Sequence, residues 1–354
     1  MRSYRVEECL LVVDGRVVEC EGVGFSGCGD VSGEICVLDV DDFRGYSGLR
    51  GRVGVVYGDL SFDVYRRLVE AGPLALIIVE GSVGRPASKY KFCWEWVGAF
   101  GRVPAVRVSL EDGLRIARSG GRARVVVESS EFDVEALNVV GRLEGGEEEL
   151  VVCSHYDSVV DCVGVIDNAA GVALMLELAR CLSSVDRRRS LVFIGFGAEE
   201  LGLRGSRFYC EKRRESLDRV RLAVNLDVHG SVFGSYSACV IGPVELKPFI
   251  EAIGCEEGLR LSVSFSVQSS DSASFSFFGV PSVSFFRGGG LSAYLHTELD
   301  SLEIVDSSRL ERMGRVVEKF LSRLAVAEPF PFKREIPKEH VEKVREYFKK
   351  KFGV

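Results

Sequence analysis

Two rhythms of apolar and polar positions divide the chain. Over about residues 1–130, short apolar runs alternate with glycine turns and helical stretches. Residues 53–57 and 74–79 predict strands. Between them residues 61–71 predict a helix with Val64, Leu68 and Ala71 on one face. Residues 103–108 predict a third strand, residues 110–119 a helix closed by Gly120 and Gly121, and residues 123–128 a last strand. The early apolar stretch at residues 10–13 is too short for a signal peptide and reads as a strand.

The second rhythm begins near residue 131. Strands at residues 150–154, 191–196 and 220–226 alternate with helices near 168–183 and 200–214. This alternation predicts an α/β fold: a mainly parallel mixed sheet with helices on both faces, next to a smaller N-terminal α/β domain. In such sheets the chemistry gathers at the carboxyl ends of the strands. Residues 307–324 predict a packing helix that carries Leu310, Met313, Val317, Phe320, Leu321 and Leu324 at helical spacing. After the PFPF break at 329–332, residues 336–352 form a basic amphipathic helix with Val341, Val344, Phe348 and Phe352 on one face. That helix docks on its own subunit or makes a contact in a homo-oligomer. The expected divisions are therefore 1–130, 131–328 and 329–354.

Composition narrows the function classes. The chain has 354 residues, 46% hydrophobic and 27% charged, with a formal net charge of −7, so it has no basic footprint for nucleic acid. No segment approaches the roughly 20 apolar residues of a membrane span, which predicts no membrane partner and a cytoplasmic location. The 11 cysteines lack any CxxC pair and read mostly as free buried thiols, with a few disulfides possible in a hyperthermophile. There are only four histidines: His155, His229, His296 and His340.

Chemistry concentrates at the predicted strand ends. The run VVCSHYDS puts His155 at the end of a buried strand, with Asp157 two positions on. GVIDNAAG follows, with Asp167 between glycines at a helix start. The next strand opens into GAEELGLRGS, where Glu199 and Glu200 are adjacent; such a pair is electrostatically costly unless a positive group lies between them. A third strand delivers Asp227, and LHTELD supplies His296. Each has a structural explanation alone: a strand-end histidine, or an N-cap aspartate. Together they make two histidines, three ligand carboxylates and one spare carboxylate. Nitrogen and oxygen donors without cysteine suit a catalytic zinc.

The set HYDS, GxxDNAAG, AEELGLxGS, NLD and HTxxD, in this order, closely resembles the M28 family of zinc aminopeptidases and carboxypeptidases over about residues 131–325. Asn138, Ser270-Asp271, Phe275 and Gly279-Val280-Pro281 agree with it. The resemblance implies two Zn2+ ions, with Co2+ or Mn2+ as substitutes, and peptide substrates. It implies His155 and Asp227 on one zinc, Glu200 and His296 on the other, and Asp167 bridging. Asp157 would orient His155, and Glu199 would be the general base. Water held between two zincs is acidic enough to supply hydroxide near neutral pH. Family members with a tyrosine directly before the last histidine differ from this chain, which has Leu295 there and Tyr294 one position earlier. By the family pattern His229 is not a ligand. About residues 20–128 resemble a protease-associated domain, a module that shapes access to peptidase sites.

The expected function is hydrolysis at the amino end of peptides. A carboxypeptidase or dipeptidase of the same fold is the alternative, for which Arg287 and Arg204 lie near motif loops. A catalytically dead receptor fits poorly, because the five ligands and Glu199 are all present.

Overall fold

The computed structural model describes Met1–Val354, apart from the side chain of Ala293. The chain forms two compact units: Met1–Glu135 together with Phe348–Val354, and Ala136–Tyr347.

The first unit holds β1 (Arg2–Val13), β2 (Arg16–Val18), β3 (Glu21–Gly22), β4 (Gly29–Asp39), β5 (Val53–Tyr57), β6 (Ala75–Val79), β7 (Ala105–Val108) and β8 (Arg122–Asp133). These form one sheet in the order β2-β1-β8-β4-β5-β6-β7-β3. The strands β4 to β7 pair in parallel, while β1, β8 and β4 pair antiparallel. The helices α1 (Phe62–Ala71), α2 (Trp94–Phe100) and α3 (Leu110–Ser119) complete the unit. Ser61 and Ser109 cap α1 and α3 by accepting from backbone amides, as helix starts require. Residues 2–8 are mostly polar or charged, so the length of β1 is invisible to an apolar-run reading. Its pairing with β8 along nearly its whole length is what makes it a strand. The final residues pack here too: the Trp96 indole donates to the Lys351 carbonyl at 2.7 Å, and Phe348 and Phe352 are buried.

The second unit holds β9 (Val139–Leu143), β10 (Glu149–His155), β11 (Ser190–Phe196), β12 (Val220–Leu226), β13 (Ser235–Ile241), β14 (Ser262–Ser264) and β15 (Ser282–Gly288). Their order is β14-β13-β15-β12-β10-β11-β9. The central strands β15, β12, β10 and β11 are parallel, and β9 and β13 join them antiparallel. Helices α4 (Ala170–Leu182), α5 (Arg204–Lys212), α6 (Leu246–Glu256), α7 (Ser272–Phe277) and α8 (Ser307–Val326) accompany the sheet, and α9 (Lys338–Phe352) belongs to this unit as far as Tyr347.

Side chains of the central strands alternate between two cores, as period-two geometry requires. Leu150, Val152, Leu191, Phe193, Leu222 and Val224 pack with Leu174 and Leu178 of α4, Ile250 of α6 and Phe320 of α8. Val151, Cys153, Val192, Ile194 and Ala223 pack with Tyr209 and Cys210 of α5 and Phe275 of α7. This is the expected α/β architecture: a mainly parallel mixed sheet covered on both faces, with a smaller N-terminal α/β unit. Burial on both faces also explains why these strands read as continuous apolar runs.

One helix starts later than its pattern suggests. Residues 200–203 form a turn before α5, because Gly202 and Leu203 take left-handed φ of 99° and 56°, which a right-handed helix cannot contain. Among the described residues no helix is long and apolar enough to cross a membrane.

A buried charge cluster supplies a test of the first unit. The Glu80 carboxylate, just after β6, accepts from Ser88 Oγ at 2.7 Å and Arg107 Nε at 3.1 Å, with Arg85 at 3.6 Å. Burial pushes its pKa up, but Arg107, Ser88 and Arg85 outweigh burial and leave it below the ordinary value. Its stabilisation is therefore present above the unfolded pKa of about 4.3 and is lost as pH falls through the folded value. Glu80→Gln should cost about 3 kcal/mol at pH 7 by leaving buried arginine charge uncompensated. In urea melts, the gap to the native chain should narrow below about pH 4. A gap that stays constant from neutral to acid pH would contradict this.

Candidate metal centre

Parallel pairing makes the strand ends converge. His155 is the last residue of β10 and pairs with Phe196, the last of β11. β12 runs beside β10 and ends at Leu226, directly before Asp227. Glu199 and Glu200 follow β11, and Asp167 lies in a wide turn, Val165–Ala169, that leads into α4. His296 arrives on the loop after β15.

These elements bring five candidate ligands together. His155 Nε2 lies 3.2 Å from Asp167 Oδ1 and 3.4 Å from Asp227 Oδ1. His296 Nε2 lies 3.2 Å from the other oxygen, Asp167 Oδ2, and 3.2 Å from Glu200 Oε1. Two groups result, His155–Asp167–Asp227 and Asp167–Glu200–His296, and within each the donor atoms lie inside 4.8 Å of one another. Asp167 belongs to both. Glu199 belongs to neither, and neither does His229, whose ring is fully buried and whose pKa burial pushes down to about 3.

The surrounding hydrogen bonds explain how the ligands are held. His155 Nδ1 donates to the backbone carbonyl of Asp157 at 3.0 Å, which turns Nε2 toward the cluster. The Asp157 carboxylate is farther from that nitrogen, at 3.8 Å. Its closer partners are the backbone amides of Glu199 and Glu200, which donate at 3.0 and 3.1 Å. So Asp157 clamps the two glutamates as well as adjoining the histidine.

Asp300, in the HTxxD motif but without a role in the sequence reading, accepts from the Ile166 amide at 2.7 Å and the Asp167 amide at 3.1 Å. It holds the turn that presents Asp167. Asn168 Nδ2 donates to Ser154 Oγ and to the Leu226 carbonyl, tying that turn to two strands. The last glycine of GVIDNAAG has a steric reason: a Cβ on Gly171 would collide with Asn168 Oδ1 and lie 2.6 Å from the Leu226 carbonyl oxygen. Backbone strain marks the other loops. Ala198, Val228 and His296 have φ of 59°, 62° and 61°, at about 1–3 kcal/mol each for residues with a Cβ. No propensity rule predicts these; only knowledge of the site does.

The electrostatics point to positive charge at the centre. Two carboxylates about 4 Å apart repel by about 4 kcal/mol at an effective dielectric of about 20, so the cluster calls for compensating positive charge. Its imidazoles respond accordingly. Burial alone would lower the pKa of His296, but Glu200 and Asp167 raise it to about 10. His155 is likewise buried, yet hydrogen bonds to Asp167 and Asp227 raise it well above the ordinary value. Burial would raise Asp167, but both imidazoles hold it low. Burial pushes Glu199 well up; His155 opposes this, while Glu200, Asp271 and Asp227 reinforce it. Asp271, fully buried in the SD pair, is pushed by burial to about 7, with His155 opposing. A set of nitrogen and oxygen donors that draws protons onto its histidines fits a divalent cation site. Access differs between the two groups: the His155 side chain is 1% exposed and that of His296 is 35% exposed.

The fold and this pair of donor groups form a candidate metal centre, and comparison with known proteins places the chain in a family. Residues 138–321, just over half the chain, match peptidase family M28, and the chain belongs to that family. It is 28% identical over 289 residues to aminopeptidase YwaD of Bacillus subtilis, covering 76% of this chain and 61% of that protein. The chain thus spans less than two thirds of that relative's length. Among solved structures, a peptidase M28 precursor from Shewanella amazonensis superposes with a TM-score of 0.79 at 18% identity, covering 94% of this chain and 85% of that one. BSAP, described as a zinc aminopeptidase from Bacillus subtilis, superposes with a TM-score of 0.70 at 23% identity, covering 96% and 88%. At these identities the two structures establish the fold.

The Asp300 contacts generate a test that is separate from turnover. Asp300→Ala should leave the fold intact but lower metal affinity about 10–100-fold, the usual effect of removing a group that positions a ligand. Calorimetric metal titration beside circular dichroism would measure both. Unchanged affinity in a folded variant would show that Asp300 does not position Asp167.

Proposed function

We propose that this chain is a two-zinc aminopeptidase that removes residues from the amino end of peptides. The observation that carries this reading is the single carboxylate of Asp167, with one oxygen beside His155 and the other beside His296. In this reading His155, Asp167 and Asp227 hold one zinc and Asp167, Glu200 and His296 hold the other, with cobalt or manganese as substitutes. The absence of thiolates from the donor set and the zinc named in the description of BSAP support the choice of metal. Zinc bound there would polarise the scissile carbonyl and lower the pKa of the attacking water toward about 7.

The chain's own residues divide the remaining work. Glu199, outside both donor groups, takes the proton of the water on its carboxylate and returns it to the departing amine. Burial pushes its pKa up. Asp157 fixes the backbone that carries it. Domain roles follow the same reading: residues 131–328 as the catalytic domain, residues 1–130 as a protease-associated-like domain and residues 329–354 as a helical tail.

Polarity rests on charge. Carboxylate oxygens around the metals can accept from a substrate ammonium, whereas a substrate carboxylate needs a cation. Arg287, a candidate for that cation, is buried and already donates to the Ser231 carbonyl at 2.7 Å and the Val232 carbonyl at 3.2 Å. This favours the amino end over a carboxypeptidase or dipeptidase.

Two experiments test the proposal. An unblocked aminoacyl anilide should be cleaved and its N-acetyl form should not. Dialysis against a chelator should abolish the activity, and zinc should restore it. Efficient release of the C-terminal residue from N-acetylated peptides would overturn the polarity while leaving the metal assignment standing. Separately, Glu199→Gln should retain both metals and lower kcat by at least about 100-fold, whereas Glu200→Gln should weaken one metal. Loss of metal from Glu199→Gln, with slowed turnover alone from Glu200→Gln, would reverse the two roles.

A further inference from the structure

The first hairpin of the N-terminal unit carries two cysteines that the catalytic reading does not use. β1 and β2 pair Leu11 with Val18, Val12 with Val17 and Val13 with Arg16 around the two-residue turn Asp14-Gly15. Carried two positions beyond the ladder, the same register sets Cys9 opposite Cys20. Directly opposed residues of an antiparallel pair point to the same face, with Cα atoms about 4.5–5.5 Å apart. That lies inside the range a disulfide spans. A second observation shows that the chain keeps this register after the ladder ends. Cys9 Sγ lies 3.6 Å from the Cys20 carbonyl oxygen, and both side chains pack against the same core cluster.

We propose that Cys9 and Cys20 are a redox site: a dithiol that closes to a disulfide across the mouth of this hairpin. Both residues are free cysteines of intermediate burial, so a small oxidant reaches them. The side-chain hydrogen bond between the two thiols lowers Cys9 to about 7 and raises Cys20, which makes Cys9 the nucleophile. Glu21 opposes the lowering of Cys9 and Lys89 assists it; the two are themselves paired at 2.6 Å.

The chemistry is thiol–disulfide exchange with a small disulfide such as oxidised glutathione. The Cys9 thiolate attacks one sulfur of the oxidant, breaks its S–S bond and expels half of it as a thiolate. The Cys20 thiolate then attacks the Cys9 sulfur of the mixed disulfide and expels the second half. One S–S bond forms in the protein, and two electrons pass to the oxidant. The two cysteine protons end on its two thiols. Closure ties the second half of β1 to the segment entering β3, so the oxidised hairpin cannot open.

The test uses the full chain, first reduced and then equilibrated with oxidised and reduced glutathione. Remaining thiols are trapped with N-ethylmaleimide before peptide mapping by mass spectrometry. The expected product is a linked peptide pair containing Cys9 and Cys20, about 2 Da lighter than the two free thiols. Cys20→Ser should instead accumulate glutathione on Cys9, because the resolving thiol is gone. The oxidised native chain should melt about 5 °C higher than the reduced one, and Cys20→Ser should lose that difference. The proposal is overturned if Cys9 and Cys20 both stay alkylated. It is also overturned if they link only to other cysteines, or if native Cys9 holds glutathione as fully as the Cys20→Ser variant does.

Discussion

Carboxylates crowded at one end of a sheet repel, and that repulsion is the constraint on which the rest of the second unit depends. Asp167, Asp227 and Glu200 are each largely buried, with Glu199 beside them in sequence. Water cannot screen them, and their crowding calls for positive charge from the facing imidazoles and a bound cation. The parallel strands β10, β11 and β12 exist in this context as rigid delivery arms. Their two buried faces hold the strand ends in register, and the ligands therefore arrive at fixed separations. The turn that carries Asp167 is in turn held by Asp300 and Asn168, and the turn that carries the glutamates by Asp157.

Much of this arrangement was legible in the sequence. The three apolar runs identified the central strands, since only a sheet covered on both faces produces strands without polar alternation. The resemblance to family M28 then singled out His155, Asp167, Glu200, Asp227 and His296, and the structure brings those side chains to one place. What escaped was the support. Asp300 bonds to amides more than a hundred residues away in sequence, and no local pattern reveals such a partner. Asp157 stood out only as a neighbour of His155, whereas its carboxylate lies closer to the Glu199 and Glu200 amides. The strained backbone at Ala198, Val228 and His296 runs against local propensity, as functional sites commonly do.

The N-terminal unit was less legible for a different reason. Its longest strands, β1 and β8, pair antiparallel across most of the unit's sequence, and much of β1 is polar. Pairing distant in sequence, not local apolarity, defines them. The local β1–β2 hairpin, by contrast, sets Cys9 opposite Cys20.

The central claim is that one carboxylate serves two metal ions. Anomalous diffraction at the zinc edge, from crystals of the full chain equilibrated with zinc, tests it most directly. The account predicts two peaks flanking the Asp167 carboxylate, one against His155 and Asp227 and the other against Glu200 and His296. A single peak, or two peaks of which one lies away from Asp167, would contradict it.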